Sequence, residues 1–246
     1  MNDNRELFEK WAGGVNGRYN REQWMLSKWE NIEGIEWPED KIRIMTGNIL
    51  SSLQLSKEMS LADLGCGGGW ILDRLANGAR FSVGLDFSKE MLNQARQVYK
   101  ERFFVCADIC QIPFAAGSFD RAISYFVFNN FMDDAMVKKA VENIVRILKK
   151  GGLALIGQLP DKSKSGEYDA AKAVYLEHWR RERPLGRNLR DEMRFPQKLY
   201  DLDVLRRMLD GFPITYDLVP SFNPFYFTGQ PVTVSWRVDA VIKKNY

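Results

Sequence analysis

One histidine, three cysteines and no long apolar run set the first limits on this 246-residue chain. A membrane helix needs about 18–20 consecutive apolar residues, and nothing in the sequence approaches that. Cys66, Cys106 and Cys110 cannot all pair and have no zinc-ligand spacing. A reduced, cytoplasmic protein without a structural metal is therefore expected. The start, Met1-Asn2-Asp3-Asn4-Arg5-Glu6, is polar and acidic rather than signal-like. A strong charge excess is also missing: 35 Lys and Arg against 32 Asp and Glu leave +3. A dedicated nucleic-acid binder usually carries more, or carries it in a cluster. What remains, 45% apolar and 27% charged residues, is the composition of a globular chain with enough length for a sizeable core.

Residues 1–57 place apolar and aromatic side chains at helical spacings, from Leu7, Phe8 and Trp11 to Ile42, Met45, Ile49 and Leu53, and predict an N-terminal helical cap. From 58 to 157 the pattern alternates. Short apolar runs at Leu61–Leu64, Arg80–Leu85, Phe103–Cys106, Arg121–Tyr125 and Leu153–Ile156 read as buried strands. Segments such as Val137, Val141, Ile144, Val145 and Leu148 between them read as helices. That alternation means crossover units on a parallel sheet. Lys149-Lys150-Gly151-Gly152 is expected to end the long helix, with cations at its negative end and glycine in the turn. Residues 158–200 form a polar, arginine-rich insert, a lid by expectation. Residues 201–246 add a helix (Asp203–Leu209) and two strands, Ile214–Val219 and Val232–Ile242. The second alternates apolar and polar residues, which predicts an antiparallel, half-exposed strand. The whole reads as one α/β domain.

The stretch Leu61-Ala-Asp63-Leu-Gly65-Cys66-Gly67-Gly-Gly69-Trp70 carries the strongest chemical signal. A strand runs into a glycine loop that opens a helix, so backbone can approach a ligand and unpaired N–H groups face it. A dinucleotide fingerprint wants glycine at position 70, where this chain has Trp. A phosphate-binding P-loop wants Gly-Lys-Ser/Thr, which is absent. Acids close the next two strands. Asp86 can accept from two ribose hydroxyls, or merely cap the helix that begins near Ser88. Asp108 can accept from an adenine amino group while Phe87 and Ile109 sandwich the ring. Carboxyl ends of successive strands are where doubly wound sheets bind ligands.

These residues resemble class I S-adenosylmethionine-dependent methyltransferases, in the small-molecule branch that includes the ubiquinone/menaquinone-type enzymes. Asp63 through Gly69 resembles the first motif and Gly84-Leu-Asp86-Phe-Ser88 the second. Asp108 through Pro113-Phe114, with Gly117-Ser-Phe119-Asp120, resembles the segment before the fourth strand, and Leu148-Lys-Lys-Gly151-Gly152 the turn before the fifth. The resemblance implies a Rossmann-like sheet of seven strands in the order 3-2-1-4-5-7-6, strand 7 antiparallel, with helices on both faces. It implies S-adenosylmethionine as cofactor and S-adenosylhomocysteine as product. Gly65, Cys66, Gly67 and Gly69 would pass the methionine part, Asp63 would help fix its amino group, and Tyr125 and Phe126 would flank the sulfonium. Tyr19 would fold over the cofactor.

The acceptor side is less defined. Relatives often carry two histidines after the fourth strand; this chain has Asn129 and Asn130, which can hydrogen-bond a substrate but not take its proton. His178 in the insert is the candidate base, with Asp133 as a second. Asp133-Asp134 reads equally as a helix N-cap. Arg180 to Arg194 holds six arginines against three acids, and Arg180 and Arg181 would meet an anionic acceptor. The expectation is methyl transfer to a small molecule or glycan, on oxygen, by a monomer or homodimer without a nucleic-acid partner or membrane span. Its competitors are an RNA or protein methyltransferase of the same fold, a non-catalytic cofactor-binding module and, weakest, a nicotinamide dehydrogenase.

Overall fold

A computed structural model describes residues 39–131, 133–182, 198–223 and 233–246, with backbone alone at 172, 175, 176 and 178–182. The N-terminal segment through residue 38, including Tyr19, lies outside the described residues.

Helix α1 (Glu39–Leu53) comes first, then β1 (Ser60–Leu64), α2 (Trp70–Ala76), β2 (Phe81–Asp86), α3 (Lys89–Val98) and β3 (Phe103–Cys106). After them come β4 (Phe119–Tyr125), α4 (Asp134–Ile147), β5 (Leu148–Pro160), α5 (Ser165–Glu182), α6 (Leu202–Leu209), β6 (Ile214–Phe222) and β7 (Thr233–Lys244). The seven strands form one sheet in the order β3-β2-β1-β4-β5-β7-β6. The first five are parallel, and β7 runs antiparallel to both β5 and β6. The order reverses between β1 and β4, the switch point at which such sheets open a crevice.

Strand residues alternate between two cores. Ala62, Leu64, Ala122, Ala154 and Ile156 face one cluster, covered by Val137, Val141 and Ile144 of α4 and by Leu205 and Leu209 of α6. Leu61, Ile123, Tyr125 and Leu155 face the other, under Ile42, Met45, Ile49 and Leu53 of α1 and Ile71 and Leu75 of α2. Burial on both faces is why the strands of a parallel sheet read as unbroken apolar runs.

Two expectations need correcting. Strand β7 is not half exposed: Trp236 to Ala240 are all buried, because β7 pairs on both edges and its polar side chains find partners inside. The long helix ends at Ile147, before the two lysines. Lys149 instead pairs with Asp120 at 2.8 Å, and Arg146 in the last turn donates to Ile112 O and Phe114 O at 2.7 Å each. Gly151 does have a left-handed φ of 71°, but it lies inside β5 and not at the helix end. Among the described residues no helix is long and apolar enough to cross a membrane.

Candidate functional site

Strand β1 delivers the glycine loop into the crevice, and the backbone of β2 holds it there. Leu85 O accepts from Gly65 N at 2.6 Å and from Cys66 N at 2.9 Å. Gly65, Gly67 and Gly69 have φ of 84°, 52° and 80°, left-handed values that side chains resist. A Cβ on Gly65 would also lie 2.4 Å from Val127 Cγ2. The loop therefore needs glycine at Gly65 for conformation and for space.

Asp86 does two things at once. Its Oδ2 accepts from Gly67 N at 2.7 Å and its Oδ1 from Ser88 N at 2.9 Å, tying the loop to the start of α3. Ser88, rather than Asp86, is the cap, accepting from Met91 N at 3.2 Å. The carboxylate still lines the cavity. Asp108 is comparable: its Oδ1 accepts from Cys110 N at 2.8 Å, and it lines the cavity with Phe87 and Ile109.

Asp63 is different. It is 2% exposed, it lines the same cavity, and its Oδ2 has no hydrogen-bond partner in the protein. Burial, reinforced by the neighbouring Asp86 charge and opposed by a hydrogen bond from the Leu72 backbone, raises its pKa to about 7. A buried carboxylate oxygen left without a donor is costly unless a ligand supplies one.

Tyr125 and Phe126 line the cavity from the end of β4, their rings edge-on with centroids 5.1 Å apart. Phe126 has φ 60°, a strained value for a bulky residue. The Tyr125 hydroxyl accepts from Gln158 Nε2 at 3.3 Å and donates to Asp239 Oδ2 at 3.5 Å. Asp63, Asp86 and Asp108 are the charged side chains of the described lining, with no Lys, Arg or His among them. Apolar walls with three carboxylates suit a cationic nucleoside-like ligand and repel polyphosphates.

Several sequence candidates fall elsewhere. Asp133 caps α4, its Oδ1 accepting from Met136 N at 2.8 Å, and it is not among the cavity residues; the capping reading replaces the catalytic one. Asn130 lines the cavity, its amide donating to Phe126 O at 3.0 Å. Asn129 does not: it is fully buried, with neither side-chain polar atom hydrogen-bonded. His178, Arg180 and Arg181 belong to α5 by backbone, and their side chains lie outside the described residues. Sequence reasoning missed Trp70, Val127 and Met136 as lining residues; the signal available was their place one to three residues past a glycine loop, a strand end or a helix cap. It also missed Gln158 and Asp239.

Residues 62–156 match the family described as Methyltransferase domain. A tRNA (carboxymethyluridine(34)-5-O)-methyltransferase of Xenopus tropicalis is 35% identical over 140 residues, covering 57% of this chain and 20% of that protein. A malonyl-acyl-carrier-protein O-methyltransferase of Buchnera aphidicola is 30% identical over 122 residues, covering 48% of this chain and 47% of that protein. The chain thus spans half or less of these curated relatives. Among solved structures, the N-methyltransferase NodS of Bradyrhizobium japonicum, in complex with S-adenosyl-L-homocysteine, superposes with a TM-score of 0.58 at 16% identity, covering 93% of this chain and all of that one. The strand order expected from the motifs is the one observed, and residues 62–156 are similar to a methyltransferase domain.

Proposed function

We propose that this chain binds S-adenosylmethionine in the β1–β4 crevice and transfers its methyl group to oxygen of a small-molecule or glycan acceptor. The observation that carries the donor assignment is the charge of the cavity: three carboxylates, one with an unpartnered oxygen, and no cation in the described lining. When bound, the donor supplies a methyl group activated by a positive sulfonium. NADH or ATP would instead set phosphates against Asp63, Asp86 and Asp108.

The protein's own part is positioning and dryness. Gly65 and Gly67 bring backbone against the amino-acid part of the donor, and Asp63 Oδ2 accepts from its ammonium. Asp86 keeps the loop in place through Gly67 N and accepts from the ribose hydroxyls. Asp108, Phe87 and Ile109 take the adenine. Tyr125 and Phe126 wall the reacting end against water. For an acceptor hydroxyl, His178 on α5 is the candidate to take the proton, and Arg180 and Arg181 to meet an anionic group. Residues 158–200 would then cover the acceptor.

Both relatives named above are oxygen methyltransferases by name, which supports oxygen as the atom. One of them acts on tRNA by its name, so the acceptor screen includes RNA. The test is calorimetric titration with S-adenosylmethionine and S-adenosylhomocysteine against NADH and ATP controls, then radiolabelled methyl uptake by anionic glycans, phenols, carboxylic acids and tRNA. Micromolar binding of the first pair alone, followed by label in a small-molecule fraction, is expected. Binding without label in any class would favour a cofactor-binding module, and label in tRNA alone would replace the small-molecule acceptor.

A further inference from the structure

Consecutive residues of a strand send their side chains to opposite faces of the sheet. Tyr125 and Phe126 do not: both belong to the core under α1 and α2, and both line the donor cavity. The alternation breaks at Phe126, whose φ of 60° turns the chain left-handed just past the end of β4. A bulky residue resists that conformation and keeps it only where its surroundings impose it. One such constraint is visible: Asn130 Nδ2 donates to Phe126 O at 3.0 Å. We propose that Asn130 is a positioning residue, which holds Phe126 in the strained turn and thereby sets the second aromatic wall of the donor site. This role rests on the donor assignment, and it moves Asn130 from the acceptor side, where the sequence placed it, to the donor side.

The local backbone brings the two residues together. Asn130 N donates to Val127 O at 2.9 Å and Phe131 N to Phe128 O at 3.2 Å. Residues Phe128–Asn130 thus form a single 3-10 turn, which carries the Asn130 amide back over the Phe126 carbonyl. On the cavity side, Val127 packs against the glycine loop, where a Cβ on Gly65 would collide with it. On the other side, Phe128 O accepts from the Tyr200 hydroxyl at 2.7 Å and Asn129 O from Lys198 N at 2.8 Å. Those contacts fix the turn from Val127 onward, and the Asn130 side chain reaches the peptide before it. The first wall is set differently. Gly157 leaves bare backbone on β5 for the Tyr125 ring, which a Cβ there would strike. Phe126 meets that ring edge-on, with centroids 5.1 Å apart. A return of Phe126 to negative φ would carry its ring out of the wall and its carbonyl off Asn130, so bond and wall stand or fall together.

The experiment is a double-mutant cycle read by calorimetric titration with S-adenosylhomocysteine. It compares wild type, Asn130→Ala, Phe126→Gly and the double variant, each shown to be folded by its melting curve. Asn130→Ala should bind about fivefold more weakly than wild type, the effect of one lost hydrogen bond. Glycine adopts the left-handed turn without strain and has no ring to place. Adding Asn130→Ala to Phe126→Gly should therefore change affinity by less than about twofold. Wild-type affinity in folded Asn130→Ala would overturn the proposal, whether or not its melting temperature falls. An equal loss in both backgrounds would overturn it too, because Asn130 would then touch the donor directly. If Asn130→Ala does not fold, Asn130→Leu, similar in size and without an amide to donate, takes its place in the same cycle. Failure of folded wild type to bind S-adenosylhomocysteine would remove the donor assignment itself, which the other outcomes leave standing.

Discussion

Asp63 on β1 and Asp239 on β7 are both almost out of water, at 2% and 8% exposure, and burial is the main reason each has a raised pKa, about 7 and about 6. Their surroundings differ sharply. Asp239 is fully bonded within a buried network: it accepts from Gln158 N at 2.9 Å, from the Ser221 hydroxyl and from the Tyr125 hydroxyl, with Arg237 close enough to lower its pKa. Gln158, at φ 67°, reaches Ser221 Oγ at 2.7 Å and Phe222 O at 2.8 Å through the same amide nitrogen. Asp63 has an amide on one oxygen and nothing on the other. The protein completes the bonding of one aspartate and leaves one oxygen of the other without a donor. A buried network centred on a fully bonded carboxylate fixes one arrangement of its members, here the join of β5, β6 and β7 behind Tyr125, even though Gln158 Oε1 has no partner in it. An unsatisfied group is the part of the structure that a ligand can repay.

The largest effect should therefore come from the network around Asp239. Asp239→Ala strands three donors and deprives buried Arg237 of a nearby carboxylate, which should remove about 3–5 kcal/mol of stability. Urea unfolding would show it; a loss under about 1 kcal/mol would mean that the network is not holding the join. Next in size is Gly65→Ala, where left-handed backbone and the Val127 contact together should cost about 2–4 kcal/mol. The same variant should lose donor binding by calorimetry. Near wild-type affinity in a folded Gly65→Ala protein would show that the loop can reshape.

The contrast between the two regions also marks what was readable from the sequence. Donor-side strands were legible because both of their faces are apolar, and the glycine loop because strand, glycines and helix follow one another within ten residues. The β5–β7–β6 join was not. Gln158, Ser221 and Asp239 are 63 and 81 residues apart along the pairs they form, and they meet only because register shifts at Ile156/Leu159 and Pro220/Ser221 bring them together. For the same reason β5, read as Leu153–Ile156, runs on to Pro160, its polar end being paired rather than exposed. The sequence pointed to Asp63 through its motif; that one of its oxygens would lack a partner could come only from the packing of α2 against β1.

A smaller effect tests the open aspartate through stability alone. An acid whose pKa is raised by folding adds stability when protonated, and that stability is lost as pH climbs from the unfolded value, near 3.8, through the folded value, near 7. Asp239 loses most of its share below about pH 6, so the window from pH 6 to 8 belongs mainly to Asp63. Across it, Asp63→Asn should gain about 1–1.5 kcal/mol over wild type in the ligand-free protein. Melting or urea curves at the two pH values would measure it, and a gap that stays constant would place the titration elsewhere.

The smallest effect separates a third aspartate from both. Asp133 is exposed, and its Oδ1 accepts from Met136 N at the start of α4. Replacing such a cap with alanine costs roughly 1 kcal/mol, and asparagine caps about as well. Asp133→Ala should therefore lower the urea midpoint modestly and Asp133→Asn hardly at all, with S-adenosylhomocysteine affinity unchanged in both. A base would sort the same pair differently, since asparagine takes no proton: methyl transfer to whichever acceptor is found would then fail in both variants alike. Full turnover by Asp133→Asn would leave the carboxylate with the work its geometry shows, which is to start the helix that carries Met136 to the edge of the donor cavity.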